Sequence, residues 1–148
     1  MELAVDKKII KLNRTYLAEI ETLLKKCGLP SEDCNQHLDN FYGMTKANRL
    51  ITIGALQFRD SVALLRSVVV ATDNRGQGLA AAMTRYLISL ARLNRLSELY
   101  LLTETADGYF TRFGFCAVER EAVPDGIKTT QQFESLCPSS AQAMRLFL

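Results

Sequence analysis

Six consecutive residues, Arg75, Gly76, Gln77, Gly78, Leu79 and Ala80, carry the clearest chemical signal in the sequence. They follow the β-branched run Val68-Val69-Val70 and open a stretch of helical periodicity, so a strand enters a glycine-rich turn and the turn enters a helix. The first N–H groups of a helix have no partner within it, and the helix dipole adds about half a positive charge there. Glycine at 76 and 78 lets the backbone close around oxygen atoms, and Arg75 adds a cation beside them. That chemistry is anion binding, and a diphosphate fits it. The spacing is not G-x-G-x-x-G, and it lacks the Gly-Lys-Ser/Thr ending of a P-loop. Taken alone, the same glycines also suit a tight strand-to-helix turn.

Arg66 stands inside an apolar run, on the same side as Val68 and Val70 by two-residue alternation. An arginine there needs an anion, either a substrate carboxylate held by its fork or an internal Asp or Glu. Cys34 and His37 stand three apart with Cys27 upstream, a spacing on which a soft-metal or metalloid site can be drawn. Free cysteine is commonly a small buried apolar residue, and no metal site is expected. The four cysteines form no CxxC pair and no secretory stretch precedes them, so reduced thiols are expected.

The elements that hold these residues follow from periodicity. Residues 8–12 read as a strand, and residues 15–27 place Leu17, Ile20, Leu23, Leu24 and Cys27 on one helical face that Gly28 and Pro30 end. Residues 31–37 read as a further helical turn. Residues 41–45, 49–57 and 62–70 are β-branched and aromatic, with turns at Lys46-Ala47-Asn48 and Arg59-Asp60, which predicts an antiparallel meander. Residues 78–93 form an amphipathic helix with Leu79, Met83, Tyr86, Leu87, Leu90 and Leu93 on one side. Residues 98–103 are a short buried strand, 106–112 a helix ended by Gly114, and 117–120 and 143–148 the last strands. The plan is α/β with a mixed central sheet, in the order β-α-α-β-β-β-α-β-α-β-β.

A chain of 148 residues that is 48% hydrophobic buries one core, so residues 1–148 are expected to be a single domain. No apolar run reaches the roughly 20 residues of a membrane span, and a cytoplasmic protein without membrane contact is expected. The formal charge of +2, with both signs interleaved, gives no basic stripe for nucleic acid.

Arg75-x-x-Gly78-x-Ala80 resembles the Arg/Gln-x-x-Gly-x-Gly/Ala signature of the GNAT family of N-acetyltransferases, and the run from Ala106 through Tyr109-Phe110 to Gly114-Phe115 resembles its second signature. The resemblance implies the GNAT fold, with central strands splayed apart, and acetyl-CoA as co-substrate. It implies that Val68 and Val70 contact the acetyl and pantetheine arm by their backbone, that residues 75–80 hold the pyrophosphate, and that Thr103 and Phe110 lie along the cofactor. Thr103 and Thr105 serve equally as helix caps. An N–H near Val68, freed by a bulge, is the implied oxyanion donor. Glu104 is implied as base or water relay, and is equally an acid at a helix start. Many family members carry a tyrosine as acid where this chain has Phe110; Tyr109 beside it is the candidate, and packing is the alternative for both rings. Arg66 is the candidate for a substrate carboxylate.

Residues 99–103, 109–110, 114–115, 122–124 and 135–141 are similar to acetyltransferase-like proteins of bacterial arsenic-resistance operons, and to the acetyltransferase domain of N-acetylglutamate synthase. This implies a small amine, amino acid or similar, as acceptor, with a link to arsenic resistance. A catalytically weak sensor of acetyl-CoA or an arsenical on the same fold is the competing reading. A homodimer through an exposed strand edge is a further implication, and residues 124–140 stand as a candidate lid.

Overall fold

Asn13 accepts the Thr15 N–H at 2.9 Å and starts a 3₁₀ turn, Arg14–Tyr16, that feeds helix α1, Leu17–Lys26. The computed structural model describes residues 6–136 and 140–148. Helix α1 buries Ile20, Leu23 and Leu24 and ends in a Schellman motif. Gly28, at φ 70, donates to the Lys25 carbonyl at 3.1 Å, and Leu29 donates to the Leu24 carbonyl at 2.9 Å. The further helical turn expected at 31–37 is a 3₁₀ stretch, Cys34–Asn40, broken at His37.

Strand β1 (Asp6–Lys11) pairs antiparallel with β2 (Phe41–Lys46), and β2 with β3 (Arg49–Arg59). The β2–β3 turn holds Ala47 at φ 52 and Asn48 at φ 63, the left-handed pair whose twist matches that of the flanking strands. Strand β4 (Val62–Val70) follows after Asp60-Ser61. Helix α2 is Leu79–Leu93, strand β5 Glu98–Thr103, helix α3 Asp107–Thr111, strand β6 Cys116–Val118, helix α4 Asp125–Lys128 and strand β7 Gln142–Phe147. One seven-stranded sheet has the order β1-β2-β3-β4-β5-β7-β6, with β4 and β5 parallel, so the mixed α/β expectation holds. Among the described residues no helix is long and apolar enough to cross a membrane.

The chain divides into two compact units, one formed by residues up to Leu56 with Ser67–Leu87, the other by Gln57–Arg66 with Ile88–Leu148. In the first, Ile20, Leu23 and Leu24 of α1 pack with Phe41, Ile53, Ala55 and Val69. Met83 and Leu87 of α2 lie so close over Gly54 that a Cβ there would stand 2.7 Å from Met83 Cγ. Only glycine admits the helix at this approach. In the second unit, Val62, Leu64, Tyr100, Val123, Ile127 and Ala143 form the core.

Three expectations shift. Ser67 sits at φ 61 within β4, so unbroken alternation no longer assigns Arg66 to the side of Val68 and Val70. The strand expected at 117–120 ends at Val118, because Arg120 turns away and donates to the Ala141 carbonyl at 2.9 Å. Helix α4, between the last two strands, is four residues long and carries no readable period, yet its Ile127 is fully buried. The described part of the candidate lid is therefore anchored in the core.

Candidate functional site

Strand β4 ends where the Ala71 N–H donates to the Ile51 carbonyl at 2.7 Å and the buried Thr52 hydroxyl donates to the Val69 carbonyl at 2.7 Å. A 3₁₀ turn, Thr72–Asn74, then leads to Arg75 in extended conformation, Gly76 at φ 80 and Gly78 at φ 77. The Ala82 N–H donates to the Gly78 carbonyl at 3.0 Å, the first bond of α2. The N–H groups of Leu79, Ala80 and Ala81 therefore have no carbonyl behind them within the helix. A Cβ on either Gly76 or Gly78 would meet nothing within 4 Å, so both glycines serve a backbone path and leave open space above it. Leu79 anchors the helix start in a cluster with Met44 and Ile51. The strand-to-helix turn expected from the sequence is present, with its glycines in left-handed conformation.

Arg75 itself turns toward the strand end. Its Nε donates to the Val70 carbonyl at 3.4 Å and its Nη2 lies 3.6 Å from Cys27 Sγ. The Schellman end of α1 puts Cys27 there, a neighbour that sequence spacing does not reveal.

In the second unit the Thr103 hydroxyl oxygen accepts the Ala106 N–H at 2.9 Å, so this threonine closes the turn before α3. Glu104 and Thr105 are exposed in that turn. Tyr109 and Phe110 meet edge to face at 5.3 Å between ring centroids, Tyr109 also packs on Phe113, and the Arg112 guanidinium lies 5.0 Å from the Tyr109 ring centre. Phe110 packs on buried Phe115. Both rings thus have the packing role weighed for them.

Other polar groups are not found by motif. Buried Arg66 donates from Nη1 to Oε1 of buried Gln57 at 3.3 Å. The Tyr100 phenol is pushed up to about 12, by burial first and then by the Glu98 carboxylate that accepts its hydrogen bond. Burial, then the neighbouring Tyr86, raises Tyr42. Cys34 is buried in the core, and His37 Nε2 lies 3.6 Å from Asp33 Oδ2. Among the described residues no three His, Cys, Asp or Glu side chains gather for a metal; Cys137 lies outside them.

The mixed sheet, with a glycine turn leading from β4 into α2, is a frame shared with known proteins. Residues 17–132 match the family model described as acetyltransferase (GNAT) domain, and the chain belongs to that family. Solved structures share the fold. Rv2747 of Mycobacterium tuberculosis, in complex with CoA, superposes with a TM-score of 0.80 at 18% identity, over 95% of this chain and 99% of that one. N-acetylglutamate synthase of Neisseria gonorrhoeae, complexed with coenzyme A and N-acetyl-glutamate, gives 0.82 at 16% identity, over 100% of this chain but 36% of its own length. The ribosomal-protein-S18-alanine N-acetyltransferase of Escherichia coli gives 0.71 at 17% identity, over 95% and 92%.

Proposed function

We propose that this chain transfers the acetyl group of acetyl-CoA to the amino group of a small molecule, an amino acid or a compound like one, and that residues 1–148 act as one catalytic domain. The observation that carries the reading is the loop from Arg75 to Ala80, with two left-handed glycines, open space over both and a fifteen-residue helix behind it. In this reading the first-turn N–H groups take the pyrophosphate, and the backbone at Val68 and Val70 takes the pantetheine arm and acetyl carbonyl, with Thr103 and Phe110 along the arm.

The amine nitrogen attacks the thioester carbon, a C–N bond forms, the C–S bond breaks, and the coenzyme leaves as thiolate. Rate comes from holding the two reactants together and from an N–H donor on the developing oxyanion. The Val68 N–H is assigned that role; support comes from Ser67 at φ 61, which departs from ladder geometry beside it. Glu104 is assigned the amine proton, directly or through water, and Tyr109 the proton for the thiolate. Arg66 is assigned a carboxylate on the acceptor.

Calorimetric titration with acetyl-CoA tests the reading: binding at micromolar level, about −8 kcal/mol, by the parent and not by Gly78→Asp. Thiol release that depends on added amine completes it. Amino acids, arsenic-bearing amines and simple amines form the acceptor panel, since the arsenic-operon likeness is a likeness of sequence alone. Phe110 in place of the expected acid favours a second reading, a domain that binds acetyl-CoA with little turnover. Binding without thiol release across the panel would select it.

A further inference from the structure

We infer that Gln57 is a specificity-determining residue, whose side-chain N–H₂ reads a carboxylate on the acceptor beside Arg66. The inference rests on the acetyltransferase reading and adds a residue to it. Gln57, on β3, is 1% exposed and Arg66, on β4, 2%. Their hydrogen bond, Arg66 Nη1 to Gln57 Oε1 at 3.3 Å, fixes the amide, because the flipped orientation would set N–H groups against a guanidinium that can only donate. Gln57 Nε2 is thereby turned to a side where, among the described residues, it has no partner. Buried polar side chains are nearly always satisfied, and an exception in a functional domain marks a group that a ligand completes.

The missing group must be an acceptor, and the adjacent guanidinium favours an anionic one. A carboxylate oxygen meets both demands in a small planar group. Location agrees. The parallel ladder between β4 and β5 ends at Leu64↔Tyr100, while β5 continues to Thr103 on β7, so Leu65 and Arg66 have left the ladder. Arg66 stands two residues past the last paired position.

The test compares amino acids with the amines that lack only their carboxylate, in the parent, Gln57→Leu and Gln57→Glu, at saturating acetyl-CoA. The expected result is a preference of the parent for the amino acid that falls about tenfold or more in Gln57→Leu, through KM rather than kcat, and further in Gln57→Glu, where carboxylate would face carboxylate. Equal losses on both kinds of acceptor would overturn the inference. Thermal melting gives a readout independent of turnover. Ligand-free Gln57→Leu loses an unmet donor but also the Oε1 that accepts from buried Arg66, so it is expected to melt below the parent, and added amino acid is expected to raise Tm in the parent alone. An equal ligand shift in both proteins overturns the role of Gln57. A parent that binds amino acid through Gln57 but turns over no amine would instead overturn the acetyltransferase reading.

Discussion

After β4 the chain passes through Gly76 and Gly78, at φ 80 and 77, into a fifteen-residue helix, whereas after β5 it passes through a threonine-closed turn into a helix of five residues. Both junctions follow the parallel strands of the sheet and both carry family signatures. The first leaves its backbone donors unclosed and its dipole unmet, which suits an anion. The second spends a donor on Thr103 and stacks Tyr109, Phe110, Phe113 and Phe115, which suits side-chain packing. On the proposed reading, a strand-to-helix turn becomes a phosphate site by what it leaves open.

The largest expected effect breaks the first junction. Gly78→Asp puts a carboxylate into open space over the helix start and forces an L-residue to φ 77, so acetyl-CoA affinity should fall at least about 100-fold in calorimetry, close to 2.7 kcal/mol. Retained affinity in a folded variant would reduce the loop to a turn. Next in size is a change at the second junction. Phe110→Tyr restores a hydroxyl where the family pattern has one, and kcat should rise about 10- to 100-fold if proton delivery to the thiolate limits turnover. A flat kcat would leave position 110 as packing only.

Smaller effects separate support from contact. Gly54→Val drives a branched side chain against Met83 and Leu87, should cost about 1–3 kcal/mol in denaturant unfolding, and should weaken acetyl-CoA binding by tilting the helix whose start forms the cradle. Thr103→Val removes one turn-closing acceptor and should cost about 1 kcal/mol of stability. An affinity loss in Thr103→Val as large as its stability loss would support Thr103 along the cofactor arm, as proposed, and a stability loss alone would leave it closing the turn.

The legible part of this molecule is the part written in local patterns. Leu79, Met83 and Leu87 recur at helical spacing, Gly28 marks a helix end, and the glycines at 76 and 78 announce left-handed backbone, so the first junction and most of the sheet could be read in advance. Contacts set by tertiary approach could not. Arg75 to Cys27 spans 48 positions, and the Arg66–Gln57 bond is a cross-strand pairing between residues that no motif joins. The left-handed backbone at Ser67 has no glycine to signal it, and it voids a face assignment made by counting in twos. Helix α4 has no legible bounds, because four residues are shorter than any period that would set them.

Alkaline pH probes the two units at Tyr100, which is buried, and Tyr42, which is half-buried. Tyr100, on β5, is raised to about 12 by burial and then by Glu98, with Arg145 opposing; Tyr42, on β2, is raised by burial and then by Tyr86. In the unfolded chain both phenols lose a proton near pH 10. Below that pH both states are protonated, and the stability tied to these groups is fully present. Between pH 10 and about 12 the unfolded state gives up the Tyr100 proton while the folded state keeps it, so stability falls as pH rises through that window. Tyr100→Phe should flatten the fall, and Tyr42→Phe should flatten it less, in unfolding titrations followed from pH 8 to 12. The phenylalanine at 100 also gives up a hydrogen bond to Glu98, so the variant should start about 1 kcal/mol lower at neutral pH and approach the parent as pH climbs. Parallel curves for parent and Tyr100→Phe would mean that the phenol ionises as easily folded as unfolded, and that burial on β5 does not hold its proton.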